Sequence, residues 1–329
     1  MPFLYRFPMM RCLMLAVALL GSISAASAQT WPDRPVRIVI PFAAGAVTDV
    51  VARLLADRLT QRVGKTFYIE NRPGANAIVG AEVVAKATPD GYTLLMAGSS
   101  THTVNPNLFK SLPYDSLKDF TEAVYFGGVR YYLVVAPNNP ARTVQELLTH
   151  AKANPGKLNY GAGNSTSLLA TELFKLNTGT DFAQINYKSN LNAATDIMAG
   201  VIQIAFLDVG VANSMLKSGQ LRGLAYTGLN RSANFPQIPT FGEAGFTELQ
   251  KIAGWFGLWF PANTPRPIVE RFNREVNAVR DQPDFQQRLT EFGISLEGAG
   301  SSPDDFAKFV REDLARWARV VKEAKIPPQ

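Results

Sequence analysis

The sequence predicts an α/β protein of two lobes, each with a parallel-rich sheet, followed by a helical C-terminal tail. Strand-like and helix-like patterns alternate from Trp31 onward, and such alternation is typical of parallel strands that are connected by helices. The alternation falls into two series, which begin at Val36–Ile40 and at Tyr131–Pro137. A chain of 329 residues is also long enough for two units that each bury a core of their own.

The elements of the first series follow from the spacing of apolar residues. The stretch VRIVI is short and almost wholly apolar, which predicts a strand, whereas apolar residues between Val47 and Leu59 recur every three or four positions and predict a helix. The sequence NRPG at 71–74 predicts a turn. The predicted order is strand Val36–Ile40, a helix from Val47, strand Lys65–Glu70, helix Ala77–Ala87 and strand Tyr92–Gly98.

The second series and the tail are predicted in the same way. Thr143 and Glu146 form a capping box, which marks the start of a helix. After Tyr131–Pro137 we expect a helix from Thr143, a strand at 157–161, a helix from Ser165, a strand at 183–187, a helix at Ala193–Met198, a strand at 202–208, a helix at Val211–Lys217, strands at 221–227 and Gly254–Pro261, and helices at Pro267–Val279, Phe285–Phe292 and Asp304–Ala324.

The helical tail decides the predicted lobe boundaries. Helices without strands of their own must pack on an existing sheet, and we expect the tail on the first one. This gives a discontinuous first lobe of residues 29–128 plus 253–329 and a second lobe of residues 129–252. Two chain crossings between the lobes would form a hinge with a cleft, which suits closure on a ligand.

Residues 1–28 have the pattern of a secretory signal peptide. Arg6 and Arg11 precede the apolar run Leu13–Leu20, and small residues follow up to Ala26–Ala28. We therefore expect cleavage near Ala28 and a periplasmic mature protein. A membrane anchor is disfavoured, because the apolar run is too short to cross a bilayer.

Composition disfavours several classes of function. The single cysteine, Cys12, lies in the leader, so we expect no disulfide, thiol nucleophile or thiolate metal site in the mature chain. We also expect no metal and no cofactor. The formal charge is +6, and two of these charges lie in the leader. The remaining basic residues are scattered, which argues against nucleic-acid binding and fits an anionic small ligand.

Loops that follow predicted strands supply the candidate site, because α/β proteins bind ligands at the carboxyl ends of their strands. The first loop, Phe42–Asp49, is built of small residues and opens a helix, where free amide groups can bind an anion; a plain tight turn is the alternative. Later loops add hydroxyl, amide and charged side chains. The candidate ligand-binding residues are Phe42, Ala44, Gly45, Ala46, Thr48, Asp49, Ser99, Ser100, Thr101, Gly163, Asn164, Ser165, Thr166, Tyr187, Lys188 and Asp208.

Two charged candidates keep an alternative interpretation. Asp208 could accept a hydrogen bond from a ligand hydroxyl or amine, or it could only cap the next helix. Lys188 could pair with a charge on the ligand, or it could be an ordinary solvated lysine.

Long stretches of the chain resemble the Bug-type solute-binding proteins of tripartite tricarboxylate transporters. They include WPDRPVRIVIPFAAGAVTDVVARLLADRL, IENRPGANAIVGAEVVAKATPDGYTLLMAGSS, NPNLFKSLPYDSLKDF, KANPGKLNYGAGNSTSLLATELFK, INYKSNLNAATDIMAG and SGQLRGLAYTGLNRSANFPQIPTFGEAGF. The resemblance implies a two-lobed periplasmic binding protein of the Venus flytrap, type II-like fold. It also implies that loops 42–49 and 99–101 hold one carboxylate through main-chain amides and water, while loops 163–166 and 187–190 and Asp208 select the rest of the ligand.

Three functional hypotheses follow. The first is capture of a dicarboxylate or an aromatic carboxylate by a monomer that delivers it to membrane permease subunits. The second is ligand sensing for a membrane receptor. The third is a secreted serine hydrolase that uses Ser165 or Ser167 with His102 and Asp208. The sequence leaves open whether the aromatic or basic residues Arg130, Tyr131, Tyr132 and Trp255 reach the cleft.

Overall fold

The computed structural model describes residues 31–296, 302–323 and 326–327. The predicted signal peptide, residues 1–28, lies outside them. The chain divides into two units, Met1–Asp33 and Arg34–Gln329, and the elements below belong to the second unit. No helix among the described residues has the length and apolarity that a membrane span requires.

Eleven strands build two sheets in the described part of the chain. They are β1 Val36–Ile40, β2 Phe67–Asn71, β3 Thr93–Gly98, β4 Phe120–Val129, β5 Tyr131–Val135, β6 Asn159–Ala162, β7 Ala183–Asn186, β8 Ile204–Asp208, β9 Arg222–Tyr226, β10 Gly254–Pro261 and β11 Ile294–Ser295. The first sheet has the order β11-β4-β10-β3-β1-β2, and the second has the order β7-β6-β8-β5-β9.

Helices connect most of these strands. They are α1 Val47–Val63, α2 Ile78–Ala85, α3 Asn105–Leu108, α4 Val144–Ala153, α5 Ser165–Thr178, α6 Asn190–Met198, α7 Val209–Lys217, α8 Arg266–Arg280, α9 Pro283–Glu291 and α10 Pro303–Glu323. A π-helical turn at Ser100–Val104 leads directly into α3. The predicted α/β class is confirmed, but the stretch expected as a plain loop after β3 is helical.

Each sheet combines a parallel and an antiparallel part. In the first sheet β1 is parallel to β2 and β3, whereas β10 lies antiparallel between β3 and β4. In the second sheet β6 is parallel to β7 and β8, whereas β5 is antiparallel to β8 and β9. The parallel parts correspond to the predicted strand–helix–strand units. The antiparallel parts arise from β4, β5 and β10, which adjoin the crossings between the sheets.

The chain crosses between the sheets twice. Strand β4 ends at Val129 and β5 begins at Tyr131, so Arg130 alone separates the two sheets at the first crossing. The second crossing lies between β9 and β10. Sequence patterns missed β4 and the two-residue strand β11. The exact lobe boundaries, residues 128/129 and 252/253, stay a prediction.

Helix α10 covers an aromatic core on the first sheet. Its residues Phe306 and Val310 are fully buried in one cluster with Trp255 and Trp259 of β10. The rings of Trp255 and Phe306 meet edge to face at a centroid distance of 5.8 Å, a favourable aromatic geometry. The C-terminal helix therefore supports the strand that occupies the middle of this sheet.

A left-handed turn precedes α2. Ala75, Asn76 and Ala77 have φ angles of +45°, +52° and +71°, after Gly74 at +137°. Such angles are unfavourable for residues with a side chain. The turn is held by the amide of Asn105, whose Nδ2 donates to the carbonyl of Asn76 at 3.0 Å.

Replacing Ala75 by glycine should raise the free energy of unfolding by about 0.5–1 kcal/mol, because glycine adopts positive φ without steric cost. Urea denaturation measures the change. The matched control is Ala315→Gly, at an exposed position inside α10, which should lower stability by about 1 kcal/mol. A loss of stability in both variants would contradict the left-handed turn.

Candidate functional site

The first candidate loop joins β1 to α1. Gly45 adopts φ +82°, and its amide donates to Oδ2 of Asp49 at 2.9 Å. The amide of Ala46 donates to the carbonyl of Ala43 at 3.2 Å. Among the described residues, no acceptor bonds the amides of Val47 and Thr48 in the first turn of α1. The amides of Val47 and Thr48, two and three residues after the loop glycine, are therefore available to an anion.

Asp49 fixes this loop from the inside. Its side chain is buried and accepts hydrogen bonds from Gly45 N, from Arg53 Nε at 3.1 Å and from Asn71 Nδ2 at 2.9 Å. Asn71 Nδ2 also donates to the carbonyl of Phe42 at 3.1 Å. Burial raises the pKa of Asp49, but the hydrogen bonds from Arg53, Gly45 and Asn71 outweigh it and hold the pKa below its ordinary value. The carboxylate therefore stays ionised and positions the loop.

The second loop follows β3, where close backbone packing requires a glycine. A Cβ atom on Gly98 would lie 1.8 Å from the carbonyl oxygen of Trp255. Oδ2 of Asp313, on α10, accepts from both Trp255 Nε1 and Thr103 Oγ1 at 2.8 Å, while its Oδ1 accepts from Arg316 Nε at 2.9 Å. A buried carboxylate on the C-terminal helix thereby holds the loop and the Trp255 ring in fixed positions.

Loops of the second sheet form a connected polar chain. Gly163 N donates to Oδ1 of Asn190 at 3.1 Å, and Asn190 Nδ2 donates to Oδ2 of Asp208 at 2.8 Å. Asp208 also caps α7 by accepting from Val211 N at 3.1 Å. Burial raises the pKa of Asp208, and the hydrogen bonds from Asn190 and Val211 oppose that effect only in part.

Side chains from the two sheets meet directly. Oγ1 of Thr166, in α5, lies 3.0 Å from Ser99 Oγ and 3.1 Å from Ser100 Oγ. Ser165 Oγ donates to Oδ1 of Asn105. All five side chains are buried and neutral. The arrangement therefore links the loop after β3 to the N-terminal turn of α5 without an ion pair.

A first cavity lies where these loops converge. It is lined by Phe42, Ala46, Val47, Thr48, Gly98, Ser99, Ser100, Val129, Tyr131, Gly163, Asn164, Ser189, Asn190, Leu191, Asp208, Val211, Gly254, Trp255 and Phe256. Its open volume is about 40 Å³, which is room for a few water molecules. A larger solute therefore requires some opening of the loops.

A second cavity adjoins the first and is larger, with an open volume of about 260 Å³. Its lining residues are Phe42, Gly74, Ala75, Asn76, Ala77, Gly163, Asn186, Tyr187 and Lys188. Phe42 and Gly163 line both cavities, so the two spaces share a wall.

The sequence-predicted residues thus fall into three groups. Those on the first cavity are Phe42, Ala46, Thr48, Ser99, Ser100, Gly163, Asn164 and Asp208, and those on the second include Tyr187 and Lys188. Ala44, Gly45, Asp49, Thr101, Ser165 and Thr166 line neither cavity. Gly45, Asp49, Ser165 and Thr166 instead make the loop-internal and inter-sheet hydrogen bonds described above.

Three aromatic residues on the first cavity, Tyr131, Trp255 and Phe256, were not among the candidates. Tyr131 follows the first crossing directly and Trp255 lies at the second, so proximity to a crossing was the available signal. Burial and the neighbouring Asp208 carboxylate raise the pKa of Tyr131, and hydrogen bonds with Thr166 and Asn164 oppose this only in part. Its phenol is thus a neutral group at neutral pH. Tyr132 is buried against Tyr226 and Phe235 instead.

Comparison with known proteins identifies the family of this chain. The family model described as the tripartite tricarboxylate transporter family receptor matches residues 51–326. The chain belongs to this family. The predicted family and fold class are confirmed, together with the general function of solute binding for uptake from the periplasm.

Individual relatives align with this chain over nearly their full lengths. BugT of Bordetella pertussis is 33% identical to this receptor over 93% of this chain and 94% of its own. A structure of Rpa4515 from R. palustris with adipate has a TM-score of 0.86 at 34% identity and covers 91% of this chain and 100% of its own. MatC from Rhodopseudomonas palustris with bound malate has a TM-score of 0.84 at 29% identity and covers 88% and 100%.

The side chains named in the hydrolase hypothesis can be followed by their hydrogen-bond partners. No group of three histidine, cysteine, aspartate or glutamate side chains in the described ranges could hold a metal ion. Ser165 bonds Asn105, and Ser167 bonds the carbonyl of Asn164 and Oδ1 of Asn190. His102 bonds Thr101 at 2.8 Å, so the histidine and the serines have separate partners.

His102 belongs to the aromatic core of the receptor. Its ring stacks on Trp259 at a centroid distance of 3.7 Å and meets Phe120 edge to face at 4.8 Å. Burial lowers the pKa of His102 to about 3, although a hydrogen bond with the backbone of Gly98 opposes this. The imidazole is therefore neutral at the pH of the periplasm.

The buried neutral His102 should make the receptor acid-sensitive. Below pH 6.5 the unfolded chain binds a proton at this residue that the folded protein does not bind until about pH 3. Stability is therefore lost as pH falls from 6.5, by at most about 1.4 kcal/mol per pH unit. Urea denaturation of wild type and His102→Gln between pH 7.5 and pH 4 should give the shallower pH dependence in the variant. His150→Gln is the control for the loss of a histidine elsewhere, and equal slopes for wild type and His102→Gln would refute the interpretation.

The contact between Thr166 and Ser100 should appear as a coupling energy. In a double-mutant cycle of Thr166→Val and Ser100→Ala we expect a coupling of about 1 kcal/mol in the free energy of unfolding, because each single change removes the same hydrogen bond. The cycle of Thr166→Val with Ser218→Ala, an exposed serine that bonds Met215, should show none. A coupling near zero in the first cycle would mean that the two sheets do not meet here in solution.

Proposed function

We propose that this protein is a non-enzymatic periplasmic receptor that captures a carboxylate-bearing small organic solute and delivers it to the permease subunits of a tripartite tricarboxylate transporter. The mature chain begins near residue 29 after removal of the leader and acts as a monomer. Its first lobe comprises residues 29–128 plus 253–329, and its second lobe comprises residues 129–252.

One observation carries the proposal: unbonded helix amides and neutral hydroxyl groups converge on the first cavity. Val47 and Thr48 contribute the first turn of α1, and Ser99 and Ser100 contribute hydroxyl groups from the neighbouring loop. Main-chain donors at the positive end of a helix stabilise a carboxylate without a basic side chain. A site without a fixed cation also allows the solute to leave, which a delivery protein requires.

The rest of the cavity favours an organic solute. Phe42, Tyr131 and Trp255 supply apolar and aromatic walls, and Asp208 adds an acceptor on the side of the second sheet. Rpa4515 with adipate and MatC with malate are relatives whose solutes carry two carboxyl groups. We therefore propose a dicarboxylate or an aromatic carboxylate as the solute of this receptor.

The inter-sheet hydrogen bonds support a mechanism of closure. Thr166 with Ser99 and Ser100, and Ser165 with Asn105, join the predicted lobes around the cavity. A solute that touches both lobes would stabilise this closed arrangement and shift the population toward it. The closed form would then be the one that the permease recognises.

Catalysis is not part of the proposal. A serine hydrolase needs a base within hydrogen-bond reach of its nucleophile. His102 is stacked on Trp259 and bonded to Thr101, and burial lowers its pKa to about 3. Capture and release of an anion require none of these groups to react.

Titration with a panel of aliphatic and aromatic carboxylates tests the proposal. The cognate solute should raise the melting temperature, by an amount equivalent to about 2.7 kcal/mol at one hundred times its dissociation constant, because it binds the folded state only. It should also change the tryptophan fluorescence, since Trp255 lines the first cavity.

Two tryptophan variants locate that signal. Trp255→Phe should lose the fluorescence response, whereas Trp317→Phe, a change at a buried tryptophan that lines neither cavity, should keep it. If no carboxylate of the panel alters stability or fluorescence, the proposed function is wrong.

A further inference from the structure

A close contact joins the first turn of α1 to the first turn of α7. Val47 opens α1 beside the first sheet, and Gly210 is the second residue of α7, which follows β8 of the second sheet. A Cβ atom on Gly210 would lie 2.9 Å from Cγ1 of Val47, still closer to its Cγ2, and 3.0 Å from the carbonyl oxygen of Phe292. The valine side chain therefore occupies the space that any residue other than glycine would need at position 210.

The same arrangement is repeated in the opposite sense one residue earlier in α7. Val209 packs against Gly293, which lies between α9 and β11 on the side of the first sheet. A Cβ atom on Gly293 would lie 2.6 Å from Cβ of Val209 and still closer to its Cγ1. Both valines are buried. Each side thus supplies one valine and one glycine, and Val47, Gly210, Val209 and Gly293 together form the valine–glycine contact.

The valine–glycine contact lies between the first chain crossing and the first cavity. Val209 N donates to the carbonyl of Arg130, the residue that separates the two sheets at this crossing, at 2.9 Å. Val47 lines the first cavity and carries one of the unbonded amides of α1. Gly210 and Gly293 line neither cavity. The contact therefore connects the hinge region to the turn that is proposed to hold the carboxylate.

The chemistry of the contact determines how it responds to change. A valine side chain has two branches at Cβ and one strongly preferred χ1 angle in a helix, so it cannot turn away from an added methyl group without strain. In a close-packed interface such a methyl group shifts the backbone instead. Because valine and glycine are uncharged, the contact can also separate without the cost of parting an ion pair.

We propose that the valine–glycine contact sets how closely the two sheets approach each other, and that Gly210 is a positioning residue for the anion site, which acts through Val47. The inference rests on the proposed function and deepens it, because it assumes that the first turn of α1 holds the carboxylate in the closed form. Gly210 touches no solute. Its missing side chain lets α7 come near enough to α1 for one solute to reach donors on both sides.

Gly210→Ala in the purified protein tests the contact. Isothermal titration would use the carboxylate panel described above, with adipate and malate among its members. The affinity should fall about tenfold for every carboxylate that binds wild type, because the added methyl group holds the closed form apart whatever the solute. Stopped-flow tryptophan fluorescence should show this loss as faster dissociation. The melting temperature without solute should not fall, because alanine favours a helix more than glycine does.

A double-mutant cycle on affinity separates the steric effect from other effects of the substitution. Val47→Ala removes the two methyl groups that a Cβ atom at position 210 would meet, and this variant is titrated alone as the reference. When Gly210→Ala is added to Val47→Ala, the further loss of affinity should be no more than about threefold, because the space that the new methyl group needs is then free.

Gly293 provides a second test with a matched control. Gly293 has φ +72° and Gly219 has φ +73°, but a Cβ atom on Gly219 would meet nothing within 4 Å. Gly293→Ala and Gly219→Ala introduce the same backbone strain, so both should lower the melting temperature. Only Gly293→Ala should also weaken carboxylate binding, because only its methyl group meets Val209.

The outcomes distinguish this inference from the function on which it rests. Equal affinities of wild type and Gly210→Ala, an equal loss with and without the methyl groups of Val47, or equal effects of Gly293→Ala and Gly219→Ala on affinity would overturn the inference while carboxylate capture stands. If wild type binds no carboxylate of the panel, the proposed function is wrong, and the role given to the valine–glycine contact is wrong with it.

Discussion

The candidate site depends on the hydrogen bonds of Thr166 with Ser99 and Ser100. These hydroxyl groups bring the end of β3 and the start of α5, which belong to different sheets, within 3.0–3.1 Å of each other. Each such neutral hydrogen bond contributes only about 1 kcal/mol to stability. Contacts of this strength can form on closure and break on opening, whereas a buried ion pair would be costly to separate. Such weak contacts suit a receptor that must release its solute.

Buried carboxylates have a different task, because they position the loops around the cavity. Asp49 holds the loop before α1, Asp313 holds Trp255 and the turn after β3, and Asp208 caps α7 while it accepts from Asn190. Asp49 and Asp313 are partnered by arginines, so neither presents a bare negative charge to an incoming anion. In the proposed mode of binding, main-chain amides and hydroxyl groups hold the anion, and these carboxylates fix the loops that carry them.

Much of the fold was predictable because its signals are local. Apolar periodicity gave α1, β1, β3 and the C-terminal helices, and the loops after parallel strands indicated the edge at which the first cavity lies. Strand β4 was not predicted because its glycines and polar residues weaken the alternation of apolar and polar side chains. It is stabilised by pairing with β10, more than one hundred residues later in the chain. The helical turn at Ser100–Val104 was not predicted either; there Thr103 bonds Asp313 from the far end of the chain, a contact that local patterns do not show.

The sequence by itself determined the class of the protein, the edges at which its loops gather, and the small and hydroxylated residues that suit an anion. Tertiary structure alone decided which of those residues line a cavity. Gly45 and Asp49 were equal candidates with Thr48, yet they bond each other and line neither cavity. Tyr131 and Trp255 reach the cavity because the chain crosses between the sheets beside them. The physical reason is that residue type and spacing fix the local backbone, whereas the partner of a polar group is chosen by distant segments that only the folded chain brings together.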